Sequence, residues 1–433
     1  MSDPMSDPTL VIIDGPGGPT PDWYLSRLCP DYDVHVLWRP GPNPAADEWR
    51  ARTFDAWCAN VSVPAGADLT DYTVEYAKRH SADGIVAFSE IPVVEAHTAA
   101  AELGLPGNPH ESLPALRNKT RQRAALRAAG VPVPRFAEVR TAEEFHEARN
   151  TVGLPAVLKP VVGAGSMATH AVGADDDLDE IWAQACHAFV NDPRGGAHPL
   201  FILEQRLIGS EWYPDARYGD HVSVESIVRR GTATHLAVTD KFPLSPPFRE
   251  NGGMLPSVLP PERVREIEAC ATAAVEALGL TDSAVHTEFK LTAEGPMVIE
   301  VNCRIGGGAV EMLHHSAGYD YVAATAAVAT GGSLPTAPEP HRYAGRLIPQ
   351  PPDRPVVLSR VPSASEVLAI PGVREVVLPH AVGARLSPER GSTNYLTAAI
   401  AVTDRPEQLL DCFDRLTAPG LFTFHGPDEP AAG

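Results

Sequence analysis

Two apolar segments near residue 290 carry polar side chains at alternating positions, and this pattern constrains the fold more than any other part of the chain. The first segment, HTEFK, contains Glu288 and Lys290, and the second, VIEVNCRIGGG, contains Glu300, Asn302 and Arg304. Because successive side chains on a strand point to opposite faces, the members of each set share one face. Charged groups inside apolar strands are costly unless they are paired. The pattern predicts two strands that pair as a hairpin with one polar face.

This polar face is a candidate metal site. If the two strands pair, Glu288, Glu300 and Asn302 converge as oxygen ligands. Such ligands suit Mg²⁺, which commonly also binds the phosphates of a substrate. The alternative is a sheet face on which the carboxylates form salt bridges.

The residues that follow the second strand extend the candidate site. Arg304 is expected on the same strand face as Asn302 and therefore points into the site. Gly306, Gly307 and Gly308 allow the chain to turn close to a ligand. They also leave side-chain volume unfilled beside Arg304, which predicts room for a bulky or branched acid.

Strand and helix patterns divide the chain into four predicted units: 1–112, 113–200, 201–335 and 336–433. Apolar strand patterns alternate with helical patterns in the first unit, which predicts a parallel sheet covered by helices. The last unit has short strands and one helix, which is typical of a small α+β subdomain. The proline-rich stretch Ser333–Pro355 is the predicted linker before it.

Charge and composition exclude several classes of protein. The 433 residues include 35 basic and 55 acidic side chains, a formal net charge of −20. We therefore expect neither nucleic acid nor a membrane surface as a partner. The sequence lacks an apolar run of about 18 residues, and its first residues, which have no basic start or apolar run, lead us to expect no secretory signal. Six scattered cysteines without a CxxC pair argue against a zinc site or disulfide framework, so a cytoplasmic location is predicted.

Two of the five lysines lie in segments that suit phosphate binding. Lys159 ends a strand directly before the loop VGAGSM, in which Gly163, Gly165 and Ser166 let backbone N–H groups approach an anion. Lys119 opens a helix and is expected to reach the same phosphates from another side. A lysine ammonium is a compact point charge and suits phosphate oxygens.

The strand FILEQRL and the residues after it are a candidate adenine site. A strand that passes an adenine can offer backbone N–H and C=O groups, with carboxylates for the amine or the ribose. The candidate residues are Glu204, Gln205, Leu207 and Glu211. An ordinary edge strand with solvated charges is the alternative.

In this order, the segments RNKTRQRAALRAAGVPVP, AVLKPVVGAGS, EQRLIGSE, HTEFKL and VIEVNCRIGGG resemble the ATP-grasp superfamily, and most of all its L-amino acid ligase branch. The match covers roughly residues 110–330. The resemblance implies an α/β ATP-grasp fold. A Rossmann-like domain precedes the ATP-grasp core, and a small C-terminal α+β subdomain follows it.

The resemblance also implies a reaction and roles for the candidate residues. ATP phosphorylates a small carboxylate, and an amine then attacks the acyl phosphate to give an amide, ADP and phosphate. Lys119 and Lys159 neutralise phosphate oxygens, while two Mg²⁺ (or Mn²⁺) ions are held by Glu288, Glu300 and Asn302.

Arg304, together with Lys159, is the implied catalytic residue, because it stabilises the acyl phosphate and the later oxyanion. The loop VGAGSM is the implied lid. Glu225 and Lys241 are expected to face the substrate, with a structural ion pair as the alternative. A homodimer is common in the family that the chain resembles.

Three other functions are weaker interpretations. An ATP-grasp carboxylase or purine-pathway enzyme would act on bicarbonate or formate, but none of the lysines has the flanking methionines of a biotin carrier. A nucleotide-binding module without turnover would not need Arg304 and two metal ions. A dehydrogenase built on the GPGGP turn lacks an acidic ribose ligand after the second strand.

Overall fold

The computed structural model describes residues 7–41, 43–163, 168–190 and 199–427. Within these ranges the chain forms four β-sheets and thirteen α-helices. No helix of the described ranges has the length and apolar character needed to cross a membrane.

The N-terminal unit is a parallel sheet covered by helices, as the alternating pattern predicts. Its strands are β1 (Thr9–Ile13), β2 (Asp33–Trp38), β3 (Ala59–Ser62) and β4 (Gly84–Val86), and its helices are α1 (Pro21–Leu28), α2 (Pro44–Trp57), α3 (Leu69–Arg79) and α4 (Val93–Leu103). The strand order is β3-β2-β1-β4. Helix α2 was not predicted from the sequence because its only buried residue is Phe54, so it shows little apolar periodicity.

A second, antiparallel sheet lies after two short helices. These two helices are α5 (Leu113–Arg117) and α6 (Lys119–Ala128). The sheet consists of β5 (Phe136–Val139), β6 (Ala156–Pro160), β7 (His170–Val172) and β8 (Phe201–Gln205). Helices α7 (Ala142–Val152) and α8 (Leu178–Val190) accompany it. The strand order is β5-β8-β6-β7. Phe145 of α7, Phe189 of α8 and Phe201 of β8 are buried in the core that joins these helices to the sheet.

The largest sheet has eight antiparallel strands. They are β9 (His221–Arg229), β10 (Thr232–Lys241), β11 (Gly252–Leu255), β12 (Ser283–Thr292), β13 (Gly295–Asn302), β14 (Tyr343–Leu347), β16 (Val373–Val377) and β18 (Ala398–Thr403). Their order is β13-β12-β9-β10-β11-β14-β18-β16. The predicted hairpin is the pair β12 and β13.

The remaining elements lie around this sheet and in a small fourth sheet. The helices are α9 (Pro261–Ala277), α10 (Ala309–Ala317), α11 (Tyr321–Ala329), α12 (Ala364–Leu368) and α13 (Pro406–Leu416). A 3₁₀-helix spans Pro388–Asn394. The small sheet contains β15 (Val356–Arg360), β17 (Arg385–Leu386) and β19 (Thr423–His425). Helix α13 is consistent with the one helix that the sequence predicts in the last unit.

The predicted linker Ser333–Pro355 contains a strand, so that prediction is wrong. Strand β14 lies inside this stretch and is hydrogen-bonded between β11 and β18 in the large sheet. The prolines lie on both sides of β14, where they do not remove ladder hydrogen bonds. The predicted unit 336–433 therefore contributes three strands to the large sheet, and the four unit boundaries stay predictions.

The two faces of strand β9 differ in character. Val222 and Val224 belong to an apolar cluster with Ile267 of α9, so this face packs against a helix. The alternating residues Ser223 and Glu225 point to the opposite face, yet both are buried. Polar side chains that are buried on a sheet face need partners, and those partners form the candidate site.

Gln122 of α6 covers the exposed edge of the large sheet. Strand β13 is an edge strand, and its residue Val301 receives a hydrogen bond from the Gln122 amide at 2.8 Å and donates one to it at 3.0 Å. The side chain thus replaces the N–H and C=O groups of a further strand. Because Gln122 is buried, water cannot take over these bonds.

We expect Gln122→Leu to lower the free energy of unfolding by about 2–4 kcal/mol, because two backbone groups of Val301 would stay buried without partners. Urea unfolding followed by circular dichroism measures the loss. Gln184→Leu, on the exposed face of α8, is the matched control and should change stability by less than about 0.5 kcal/mol. Equal effects of the two substitutions would contradict the edge-covering role.

Candidate active site

The two glutamates predicted to bind a metal ion lie opposite each other on β12 and β13. Glu288 pairs with Glu300, and His286 pairs with Asn302 one step further along the same face. Both glutamates line one cleft. A bulge follows Glu288 and shifts the pairing of the later residues. The structure thus brings the predicted carboxylates together.

His286 fixes the orientation of two carboxylates. Its Nδ1 lies 2.5 Å from Glu225 and its Nε2 lies 3.1 Å from Glu288. Burial would lower the pKa of His286, but Glu225 and Glu288 outweigh burial and raise this pKa to about 9. The imidazole is therefore a cation at neutral pH. Burial opposes ionisation of Glu288, yet His286 holds the pKa of that carboxyl well below its usual range.

The donor set suits a hard cation. Among the described residues, no three His, Cys, Asp or Glu side chains are arranged to hold a metal ion, so Glu288 and Glu300 would need a ligand of another type. Asn302 is buried, and its Nδ2 has no hydrogen-bond partner in the described ranges. The amide oxygen and nitrogen can exchange places by rotation. The site can therefore offer two carboxylates and one amide oxygen, a set that fits Mg²⁺.

Lys119 joins α6 to the carboxylate pair. Its Nζ lies 2.7 Å from Glu300 and donates a hydrogen bond of 2.7 Å to the carbonyl of Gly163. The side chain of Asn118 caps the helix by accepting from Arg121 N, which starts α6 at Lys119. Burial would raise the pKa of Glu300, but Lys119 lowers it below its usual value.

Lys159 and Arg123 share one buried carboxylate. Glu204 lies 2.7 Å from Lys159 and 2.8 Å from Arg123. Burial would raise the pKa of Glu204, but Arg123 and Lys159 outweigh it and lower this pKa to about 2. Burial lowers the pKa of Lys159, and Glu204 opposes that change. Arg123 was not predicted, although its spacing of four residues from Lys119 puts both on one helix face.

The same cleft contains three of the six other residues predicted for nucleotide binding. Its lining includes Gly163, Gln205 and Leu207. Glu211 is exposed and lies outside that lining. The predicted residues Gly165 and Ser166 lie outside the described residues.

Residues that were not predicted also line the cleft, among them Leu244, Phe248 and His221. Leu244 and Phe248 supply apolar surface from the segment after β10. The turn residues around them gave no periodic signal. His221 lies in the cleft with both ring nitrogens buried, and its Nδ1 lies 3.7 Å from Asp220.

Arg304 does not lie on the strand, so that part of the sequence prediction is wrong. Strand β13 ends at Asn302, and Arg304 belongs to the turn before α10. Its Nε lies 2.5 Å from Glu90, which follows β4 of the N-terminal unit, and its Nη1 donates to the carbonyl of Ile305. Burial would lower the pKa of Arg304, while Glu90 raises it and Glu288 adds to this effect. Arg304 therefore lies near the carboxylate pair because of its position in the turn and its contact with Glu90, and not because of strand alternation.

The glycines after Arg304 do not leave free volume, which corrects the predicted room for a bulky acid. A Cβ on Gly306 would lie 2.4 Å from His286 and 2.5 Å from Glu225. The backbone N–H of Gly306 donates to Glu225 at 3.1 Å, so a side chain there would break this contact. A Cβ on Gly307 would lie 3.3 Å from Arg346 Nη1.

Gly308 is constrained in two ways. Its φ of +76° is in the left-handed region, and a Cβ would lie 2.1 Å from Cδ of Arg346. Arg346 thus fills the space beside the turn. It was not predicted, because it lies in the stretch interpreted as a linker.

The two residues predicted on the substrate side have different partners. Glu225 is bound by His286 and by Gly306, so both of its carboxylate oxygens are engaged. Lys241 is buried at the end of β10, and its Nζ lies 3.9 Å from Glu250. An ion pair between Glu225 and Lys241, one form of the structural alternative, is not among the described ion pairs, where Glu225 pairs with His286 and Lys241 with Glu250.

Comparison with known proteins finds similarity over parts of this chain. Residues 152–312 match the model of a family described as an ATP-grasp domain. The alanine–anticapsin ligase of Bacillus subtilis (strain 168) is 31% identical over 248 residues, which are 55% of this chain and 52% of that protein. The L-arginine-specific L-amino acid ligase of Bacillus subtilis is 23% identical over 276 residues, 61% of this chain and 62% of that protein.

A solved structure matches nearly the whole chain. The crystal structure of an L-amino acid ligase from Bacillus licheniformis superposes with a TM-score of 0.74 at 22% identity, covering 97% of this chain and 98% of that chain. The chain spans about half the length of the first of the curated relatives that it matches.

The ionised Glu204 should contribute to stability in a pH-dependent way. Its native pKa of about 2 lies below the ordinary value of 4.5. The contribution is therefore complete above about pH 4.5 and is lost as the pH falls towards 2. We expect Glu204→Gln to lower the unfolding free energy by about 3 kcal/mol or more at pH 7, because it also leaves buried Arg123 without its partner.

Urea unfolding at pH 7, 5 and 3 measures this effect, and the difference between variant and native protein should shrink at pH 3. Glu138→Gln on β5, whose partner Arg140 is exposed, is the control and should change stability little at any of these pH values. A pH-independent difference for Glu204→Gln would contradict the assignment.

Proposed function

We propose that this chain, whose residues 152–312 match an ATP-grasp domain model and whose fold is that of a solved L-amino acid ligase, is an ATP-dependent ligase that joins a small carboxylic acid to an amine or a second amino acid. The observation that carries the proposal is the carboxylate pair Glu288 and Glu300 in a cleft that also contains Lys119 and Lys159. In phosphoryl transfer, carboxylates hold metal ions while lysines bind the phosphates. The cleft contains both kinds of group side by side.

The nucleotide is proposed to occupy this cleft. Lys119 and Lys159 approach it from α6 and β6, and each is held in place by a carboxylate at 2.7 Å. The triphosphate would compete for these ammonium groups with Glu300 and Glu204. Leu244 and Phe248 offer apolar surface on which an adenine ring can pack.

The carboxylate pair is proposed to bind Mg²⁺, or Mn²⁺ in its place. Glu288, Glu300 and Asn302 would be the ligands from the protein. Mg²⁺, when bound, supplies positive charge to the phosphate oxygens. His286 keeps Glu288 ionised and oriented, and Lys119 does the same for Glu300.

The proposed reaction proceeds through an acyl phosphate. A carboxylate oxygen of the acid attacks the γ-phosphorus of ATP, and the bond to the β-phosphate oxygen breaks to release ADP. The amine nitrogen then attacks the acyl carbon, loses its proton, and the acyl–oxygen bond breaks to release phosphate. Arg304 is proposed to stabilise the charge that develops, because its Nη2 has no hydrogen-bond partner among the described residues.

The related ligases support an amino acid as one substrate. Their names state that one acts on alanine and anticapsin and that another is an L-amino acid ligase specific for L-arginine. We therefore propose L-amino acids among the substrates of this chain. The cytoplasm is the proposed location, which the six free cysteines support, and a homodimer stays a prediction.

Turnover is expected to require Mg²⁺ or Mn²⁺ and to give ADP, phosphate and amide in equal amounts. Pairs of acids and amines are screened by ADP release, and the product is identified by mass spectrometry. Glu300→Gln should abolish turnover, since an amide replaces a charged ligand. Glu294→Gln, at the exposed turn of the same hairpin, should stay active. AMP as the nucleotide product would exclude the acyl-phosphate route.

Arg304 distinguishes a ligase from a module that only binds nucleotide. We expect Arg304→Lys to lower kcat by about 10²–10³, because lysine lacks the planar fork that stabilises an oxyanion. The Kd for a non-hydrolysable ATP analogue should change much less, since Lys119 and Lys159 bind the phosphates independently. The control is Arg265→Lys on the exposed side of α9, and a parallel loss of kcat and nucleotide affinity in Arg304→Lys would show a structural role.

A further inference from the structure

Two cations flank a glycine on one face of the large sheet. Lys241 of β10 pairs with Gly253 of β11, and Gly253 pairs with Arg346 of β14. Residues paired directly across antiparallel strands point to the same face. Neighbouring strands lie about 4.8 Å apart, so the two backbones are about 10 Å apart and their side chains can approach a shared group.

The absence of a side chain at Gly253 leaves space for Lys241. A Cβ at this position would lie 3.0 Å from Cδ of Lys241 and 2.4 Å from the carbonyl oxygen of Asp240. The aliphatic part of Lys241 therefore lies over Gly253 on the side of β14. Any larger residue at position 253 would collide with the backbone of β10.

In the described ranges Lys241 has one long ion pair, with Glu250, and Arg346 has none. The Arg346 guanidinium forms no ion pair or hydrogen bond there, and the nearest ring, that of Tyr395, is centred 5.8 Å away. Lys241 is buried, and the carboxylate nearest to its Nζ among the described ion pairs is that of Glu250, at 3.9 Å. Glu311 also faces Arg346, but burial raises the pKa of Glu311, which Arg346 only partly offsets. Two such cations are costly in a partly buried place unless an anion joins them.

The pair lies beside the proposed reaction centre. Arg346 Nη1 is 3.3 Å from the place of a Cβ on Gly307, in the turn that also carries Arg304. Lys241 is close enough to Glu225 and Glu288 to lower the pKa values of both carboxyl groups. A substrate bound at Arg304 can therefore also contact Lys241 and Arg346.

We infer that Lys241 and Arg346 together bind a carboxylate of a substrate other than the carboxylate that is activated. The inference rests on the proposed ligase function. The guanidinium can bind a carboxylate through two parallel hydrogen bonds, and the ammonium adds a point charge. The activated carboxylate is assigned to the γ-phosphate and Arg304, so the pair is assigned to a second carboxylate. The bound group belongs either to the amine substrate, as its own α-carboxylate, or to the acid, as a second carboxylate.

The test compares substrates that differ by one carboxylate. For the amine, L-alanine is compared with L-alaninamide, and for the acid, L-aspartate is compared with L-asparagine. Lys241→Gln and Arg346→Gln are each expected to lower kcat/KM about tenfold or more for the carboxylate-bearing member of one comparison. The other member should be nearly unaffected, and the comparison that responds identifies the source of the carboxylate. Equal losses for both members, or no loss, would overturn the inference.

A matched control and a binding measurement separate this inference from the proposed function. Arg342→Gln removes the same charge from the exposed residue before β14, whose Nε lies 3.9 Å from Asp404, and should leave kcat/KM unchanged. Calorimetry with L-alanine and L-aspartate, in the presence of a non-hydrolysable ATP analogue, measures binding without turnover. Loss of affinity in Arg346→Gln supports the carboxylate site even if no amide forms. Unchanged affinity for both amino acids would overturn it.

Discussion

Two carboxylates that lie side by side on neighbouring strands repel each other, and the arrangement around Glu288 and Glu300 depends on how this repulsion is offset. His286 lies 3.1 Å from the first, and Lys119 lies 2.7 Å from the second. One cation comes from the same strand and the other from α6, more than 160 residues earlier. Electrostatics therefore helps to fix α6 against the sheet, and Gln122 adds two hydrogen bonds to the same edge.

The need for positive charge beside these carboxylates also accounts for the distribution of lysines. Thirty of the 35 basic residues are arginines, yet Lys119, Lys159 and Lys290 all line the cleft. Lys241 lies nearby, and only Lys78 belongs to a helix of the N-terminal unit. A flexible stem with a compact charge can exchange a carboxylate for a phosphate oxygen without the fixed geometry of a guanidinium. Arg123, in contrast, is fully buried and holds Glu204 permanently.

Sequence alone predicted those features that depend on local periodicity. Alternation in two strands was sufficient to predict the hairpin and to bring Glu288 and Glu300 onto one face. The prediction from alternation failed for residues whose position depends on contacts between segments that are distant in the sequence. Arg304 follows the end of β13, so strand periodicity no longer applies, and its partner Glu90 is 214 residues away in the chain. Arg346 lies on a five-residue strand between proline-rich segments. The composition of this stretch indicated a linker, because pairing with the distant strand β11 leaves no pattern in the local sequence.

The turn after β13 shows why its glycines belong to the site without contributing side chains. The N–H of Gly306 donates to Glu225, Glu225 binds His286, and His286 binds Glu288. This chain of contacts connects the turn that carries Arg304 to the carboxylate on β12. A side chain at position 306 would meet both His286 and Glu225, so it would separate the turn from the carboxylate pair. Since buried hydrogen-bonded networks respond as a unit, the position of Arg304 and the orientation of Glu288 are set together.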